Sequence, residues 1–168
     1  LFKNNKVVSA LQSMNYALPG LLLSILLLSS ISTMSNTIAF SIMLFAFVVK
    51  YNLLMTNSID GYVSRIDRKL YYSTKSIGKS SFWYVINIQT PLVYKGILLG
   101  SMLVFIDVIR ELPITLTLRP YNFETLSTKI FYYYNSEWIY HTAPYFVVMV
   151  LCTLPIIIFL TRQIDDKN

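Results

Sequence analysis

The sequence predicts an all-α integral membrane protein, and three observations carry that prediction. Of the 168 residues, 55% are hydrophobic and 13% charged, with mean hydropathy +0.54, whereas a soluble domain carries about 25% charged residues. The apolar residues are gathered into long runs, and at about 1.5 Å per helical residue a run of about 20 crosses a hydrocarbon core of about 30 Å. The cations, which give the chain a net charge of +6, lie beside those runs, where they act as topology signals rather than as a nucleic-acid surface.

Four spans follow in order. The first, residues 16–33, has no charge and places Pro19 and Gly20 at its start, where a proline's missing N–H costs little in the first turn of a helix. The second, 36–55, comes after a short polar turn, so the two form an antiparallel hairpin, and Lys50 near its end is expected to snorkel to the interface. The third begins after Pro91 and runs to about residue 112, acquiring Asp107, Arg110 and Glu111 at its far end. The fourth, 143–161, contains Pro155 and stops at Arg162.

Two connecting segments stand out. Residues 56–90 hold Arg65, Arg68, Lys69, Lys75 and Lys79 around a central Gly78. Residues 113–142 are amphipathic and aromatic, with Tyr132, Tyr133, Tyr134, Trp138 and Tyr140, rings that favour the headgroup layer. With 56–90 in the cytoplasm, eleven cations lie on that side and only Arg110, Arg119 and Lys129 on the other. The positive-inside rule therefore places both termini in the cytoplasm. The chain opens on Leu1 rather than Met, which leads us to expect a piece of a longer polypeptide. Its single cysteine, Cys152, lies in an apolar run and reads as packing.

The titratable residues admit few chemistries. Asp107, Arg110 and Glu111 are spaced i, i+3 and i+4, so they share one helical face, and Asp107 can pair with Arg110. Ions within a span face a cavity or one another, which leaves two readings: carboxylates beside a path, or a salt-bridged helix end before Leu112-Pro113. Arg119 has Glu124 as its obvious partner. Glu137 and His141 are four apart but are too few ligands for a metal site. No G-x-x-x-x-G-K-[ST] phosphate loop occurs, since Gly78-Lys79-Ser80 lacks the upstream glycine at Ser73. No Ser-His-Asp or H-E-x-x-H arrangement suggests an intramembrane enzyme. The chain is thus expected to be a non-enzyme that binds no metal and no nucleic acid.

Two motifs carry a family resemblance. The stretch Tyr72-Ser73-Thr74-Lys75-Ser76-Ile77-Gly78, nine residues, then Ile88-Gln89-Thr90-Pro91 is similar in spacing to the coupling loop of ABC importer membrane subunits, E-A-A-x-x-x-G, nine residues, I-x-L-P. Gly78, Ile88 and Pro91 match; Tyr72, Ser73, Thr74 and Thr90 depart from the glutamate, the alanines and the leucine. The run from Glu111 to Pro120 resembles the E-L-P-x-T-L-x-L-R-P signature of permeases for ferric iron and their thiamine and aminophosphonate relatives. Glu111, Leu112, Pro113, Thr115, Leu116, Leu118, Arg119 and Pro120 match in register. Tyr16-Ala-Leu-Pro-Gly20 and Ala143-Pro144 also resemble that family's entry and carboxyl end.

The resemblance implies a type I ABC importer transmembrane domain, with residues 1–168 forming a single permease domain that supplies four spans of a six-span half in a bacterial inner membrane. Residues 56–90 would be the cytoplasmic coupling loop that docks on a separate ATPase subunit carrying ATP and Mg, and 113–142 the outer side. Further partners would be a periplasmic or tethered substrate-binding protein, a second permease half or homodimer partner, and membrane lipid. Ferric iron is the first expectation for substrate, with thiamine, aminophosphonate or polyamine as alternatives and a non-transporting scaffold as an alternative of another class. Asp107, Arg110 and Glu111 would then border the path, where the two carboxylates suit a hard cation. Pro113, Thr115, Arg119 and Pro120 would form the outer-side motif. Tyrosine phenolates at 132–134 could also serve iron, but an interfacial belt explains those rings with no further assumption.

Overall fold

A computed structural model describes residues 13, 19–29 and 35–165, without the side chains of 163–165. The described residues form helices and no strands: α1 (Gly20–Leu28), α2 (Asn36–Val63), α3 (Arg68–Ser76), α4 (Ser81–Arg110), α5 (Pro113–Leu118), α6 (Leu126–Asn135) and α7 (Ile139–Asp165). Three of them, α2, α4 and α7 to Arg162, are long and apolar enough to cross a membrane. Of the first expected span, residues 16–18 and 30–33 lie outside the described residues, and α1 is its described part.

The span ends shift where packing, not hydropathy, sets the helix. α2 continues eight residues past 55 to Val63, giving 28 residues or about 42 Å of helix. α4 starts at Ser81, ten residues before Pro91. A proline inside a helix has no N–H and its ring crowds the carbonyl four residues back. Residues Val85–Gln89 form a π turn, in which the Thr90 N–H bonds Val85 O and the Thr90 hydroxyl donates to the same carbonyl at 2.8 Å. That widened turn lets the helix run through Pro91 instead of beginning there.

The chain divides into two compact units, Leu1–Leu53 with Phe105–Asn168, and Leu54–Val104. The core of the first gathers Met43 and Ala46 of α2 with Ile114 and Leu118 of α5, against Leu23 and Leu27 of α1. α5 is the short plug of this core, started by Pro113 and burying Ile114, Thr115 and Leu118. α6 begins in a capping box between Thr125 and Thr128, and its Ser127 hydroxyl donates to Glu111 O at 3.0 Å. α6 turns back into α7 through Ser136 and Glu137, with N–H bonds from Glu137 to Tyr134 O and from Trp138 to Tyr133 O. That pattern needs a left-handed residue, and here it is Glu137 at φ 59°. Glu137→Gly removes the strain of a side chain in that region and should raise stability by roughly 0.5–1 kcal/mol, readable as a higher melting temperature in detergent.

In the second unit the last turns of α2 pack on the first half of α4 through glycines. A β-carbon on Gly96 would meet Tyr62 Cδ2 at 2.6 Å and Ser58 O at 3.1 Å, and one on Gly100 would meet Met55 Sδ at 2.7 Å. α3 is capped by the Asp67 carboxylate, which accepts from Lys69 N–H at 2.9 Å. It is held to the start of α4 by Tyr71, whose ring meets Tyr84 edge-on at 5.3 Å.

Candidate functional site

A buried polar cluster forms where α4 ends. Pro113 has no N–H to bond the Ile109 carbonyl and its ring crowds that carbonyl, and here, with no widened turn to absorb the cost, α4 stops at Arg110. Glu111 then leaves the helical face that i, i+3, i+4 spacing would give it. Asp107 and Arg110 remain on that face and pair at 2.6 Å, with the guanidinium largely exposed. The Glu111 side chain turns inward and is only 8% exposed. The expected shared face of Asp107, Arg110 and Glu111 is therefore split, two residues facing out and one in.

Glu111 finds its partners on α2. Lys50 Nζ lies 2.7 Å from Oε2, and the Tyr51 hydroxyl donates to the same oxygen at 2.6 Å. Lys50 does not snorkel: it is the fifteenth residue of a 28-residue helix, far from either end, and its ammonium is held by a carboxylate. Glu111 Oε1 is buried and has no hydrogen-bond partner among the described residues. It faces Gly20 at the start of α1, where a β-carbon would come within 2.7 Å of Oε1 and 2.8 Å of Lys50 Nζ. A helix N-terminus is a favourable place for negative charge, and a glycine is what lets the carboxylate approach it. The cluster thus joins α1, α2 and the α4–α5 turn through one charge pair, and a cationic cargo would have to compete with Lys50 for Glu111.

The residues of the expected coupling loop fall on two elements. Tyr72, Ser73, Thr74 and Lys75 lie on α3; Ile88 sits in the π turn and Pro91 one turn beyond, both within α4. Gly78 stands between the two helices at φ 78°. Its N–H bonds Lys75 O at 2.9 Å and the Lys79 N–H bonds Thr74 O at 3.2 Å, the paired bonds of a Schellman end that favours glycine at this position. Thr74 is buried, with its hydroxyl on Leu70 O at 2.7 Å. Tyr72, Ile77 and Phe82 stand exposed around the glycine, with Lys75 over the Tyr71 ring and Lys79 over Trp83. The result is an apolar knob with a basic rim.

In the expected outer-side motif, Pro113 opens α5, Thr115 is buried and donates to Glu111 O at 2.8 Å, and Pro120 is buried after α5. Arg119 pairs with Glu124 at 3.6 Å, as its spacing suggests, and Glu124 also holds Lys129. The hydrogen bond that the Lys129 ammonium donates to the Glu124 carboxylate raises the lysine's pKa above its usual value. Tyr133 lies inside a ring stack with Trp138 and Tyr145, while Tyr132, Tyr134, Trp138 and Tyr140 are exposed. His141 tilts against Tyr133 at 5.8 Å, and Glu137 is spent on the turn.

Three parts of this arrangement lie outside the sequence expectations: Lys50 with Tyr51, Gly20 as a close-approach position, and the contact of Gly96 and Gly100 with α2. The last was available as G-x-x-x-G within an apolar run. The first was available as a lysine inside a span, which calls for a counter-ion. No family model matches the chain, and no curated protein or solved structure does either.

Proposed function

We propose that this chain is a membrane-spanning permease subunit of an ATP-driven importer of the ABC type I class, with ferric iron as its first candidate substrate. The observation that carries the reading is the knob at Gly78, set between two membrane-length helices. Its exposed Tyr72, Ile77 and Phe82 suit a groove on an ATPase subunit that holds ATP and Mg. A knob attached directly to α4 transmits motion without a flexible linker, because the helix is continuous from Ser81 to Arg110. In this reading the knob faces the cytoplasm of a bacterial inner membrane, the 113–142 segment faces a substrate-binding protein, and a second permease half completes the path. Alternating access then follows ATP binding, with the substrate biasing the spans only as far as its contacts differ between their two states.

Affinity purification of the chain from native membranes, with its transport ATPase activity measured in vesicles, tests this. An ABC ATPase subunit should co-purify. Gly78→Val, which puts a β-branched side chain at a φ that disfavours it, should leave insertion intact and abolish substrate-stimulated hydrolysis. Purification of the wild-type chain without an ATPase would overturn the proposal.

A further inference from the structure

Where α2 ends, a cavity of about 250 Å³ opens among Tyr62, Arg65, Ile66, Asp67, Leu70 and Leu92, all within the second compact unit. Its walls are of two kinds. Ile66, Leu70 and Leu92 are apolar, while Arg65 and Asp67 bring opposite charges to one small volume. The two do not pair with each other, and neither forms an ion pair with another of the described residues. Arg65 is instead laid over the Tyr62 ring, 5.6 Å from its centroid. Asp67 uses Oδ1 to cap α3, and among the described residues its other oxygen has no hydrogen bond or ion pair.

We propose that this cavity holds the headgroup of a zwitterionic phospholipid with a primary ammonium, of the phosphatidylethanolamine type. A planar guanidinium binds phosphate through paired N–H donors. The Asp67 carboxylate accepts from an ammonium, which a quaternary choline cannot donate and a glycerol headgroup does not carry as charge. The apolar walls take the first methylenes of the chains. The place is also right, because the cavity lies just past the apolar part of a membrane-length helix, where headgroups are found. A volume of about 250 Å³ is below that of a drug-sized pocket, about 300–1,000 Å³. The site stands on the membrane reading alone and does not require transport.

Native mass spectrometry of the full chain, equilibrated with equal amounts of phosphatidylethanolamine, phosphatidylcholine and phosphatidylglycerol, reads the preference directly. One ethanolamine lipid should be retained over the other two. Arg65→Gln should cut that retention about tenfold, the worth of one charge-assisted contact, while Lys75→Gln, outside the cavity, should leave it unchanged. Asp67→Asn keeps a good helix cap but should erase the preference for ethanolamine over choline. Leu92→Trp, which fills the cavity without touching either charge, should also lower retention. Equal retention of the three lipids by the wild-type chain would overturn the proposal, as would unchanged ethanolamine binding in Arg65→Gln. Displacement of the lipid by inorganic phosphate alone would reassign the cavity to free phosphate.

Discussion

Replacing Lys50 by methionine should destabilise the chain by about 3–5 kcal/mol, because it leaves Glu111 as a buried carboxylate without its counter-ion. The Tyr51 hydroxyl would remain on Oε2, but one phenol does not offset a full charge, and among the described residues Oε1 has no hydrogen bond to strengthen in its place. Lys50→Met combined with Glu111→Leu should recover most of the loss, since an apolar pair of similar volume is often as stable as a buried ion pair. Glu111→Leu alone strands the ammonium in mid-helix and should resemble Lys50→Met in sign. Thermal unfolding of the four proteins in one detergent yields the coupling energy directly. If the double variant loses the sum of the two single losses, the pair does not act as a unit and the cluster is not what joins α1 to α2.

That cluster also shows what was legible in the sequence. Composition and run length suffice for membrane-length helices, because a chain this apolar has few other ways to satisfy its backbone. The break at Arg110 is legible too, from the N–H and the space that Pro113 denies the Ile109 carbonyl, but its consequence for Glu111 depends on partners far away in the sequence. Treating 91–112 as one span kept Glu111 on the face of Asp107. Lys50 reads as terminal in the sequence for a related reason. Hydropathy ends the second span near 55, whereas the helix persists to Val63, with Ser58 packed on Gly96 and Gly100 and Tyr62 on Gly96. A lysine that looked terminal is therefore central. Pro91 reads as a boundary because proline costs a helix a hydrogen bond, and the π turn that absorbs the cost has no sequence signature of its own. Gly78 was readable as a bend between two helices because a left-handed position at a helix end has a strong residue preference. Nothing local to Tyr51 or Gly20 announces a carboxylate some 60 to 90 positions away.

Two glycine-to-alanine changes should move stability in opposite directions, and the contrast isolates helix packing from helix propensity. Gly61 and Gly96 both lie inside long helices, so alanine offers each about 0.5–1 kcal/mol through lower unfolded-state entropy. At Gly61 nothing lies within 4 Å of the added carbon, and Gly61→Ala should show that gain in full. At Gly96 the same carbon meets the Tyr62 ring at 2.6 Å and the Ser58 carbonyl at 3.1 Å. The ring can rotate away, but the carbonyl belongs to the α2 backbone, so the helices must part. Overpacking of this kind costs about 1–3 kcal/mol, which outweighs the propensity gain and makes Gly96→Ala a net loss. Gly96→Leu should fall at the upper end of that range or beyond, because its branches reach past the carbonyl into α2. Melting temperatures in a common detergent decide the matter. Equal shifts of one sign at the two positions would mean that the close approach of α2 and α4 contributes nothing. Opposite signs would place the contact between Ser58 and Gly96 among the interactions that keep α2 helical beyond the apolar stretch.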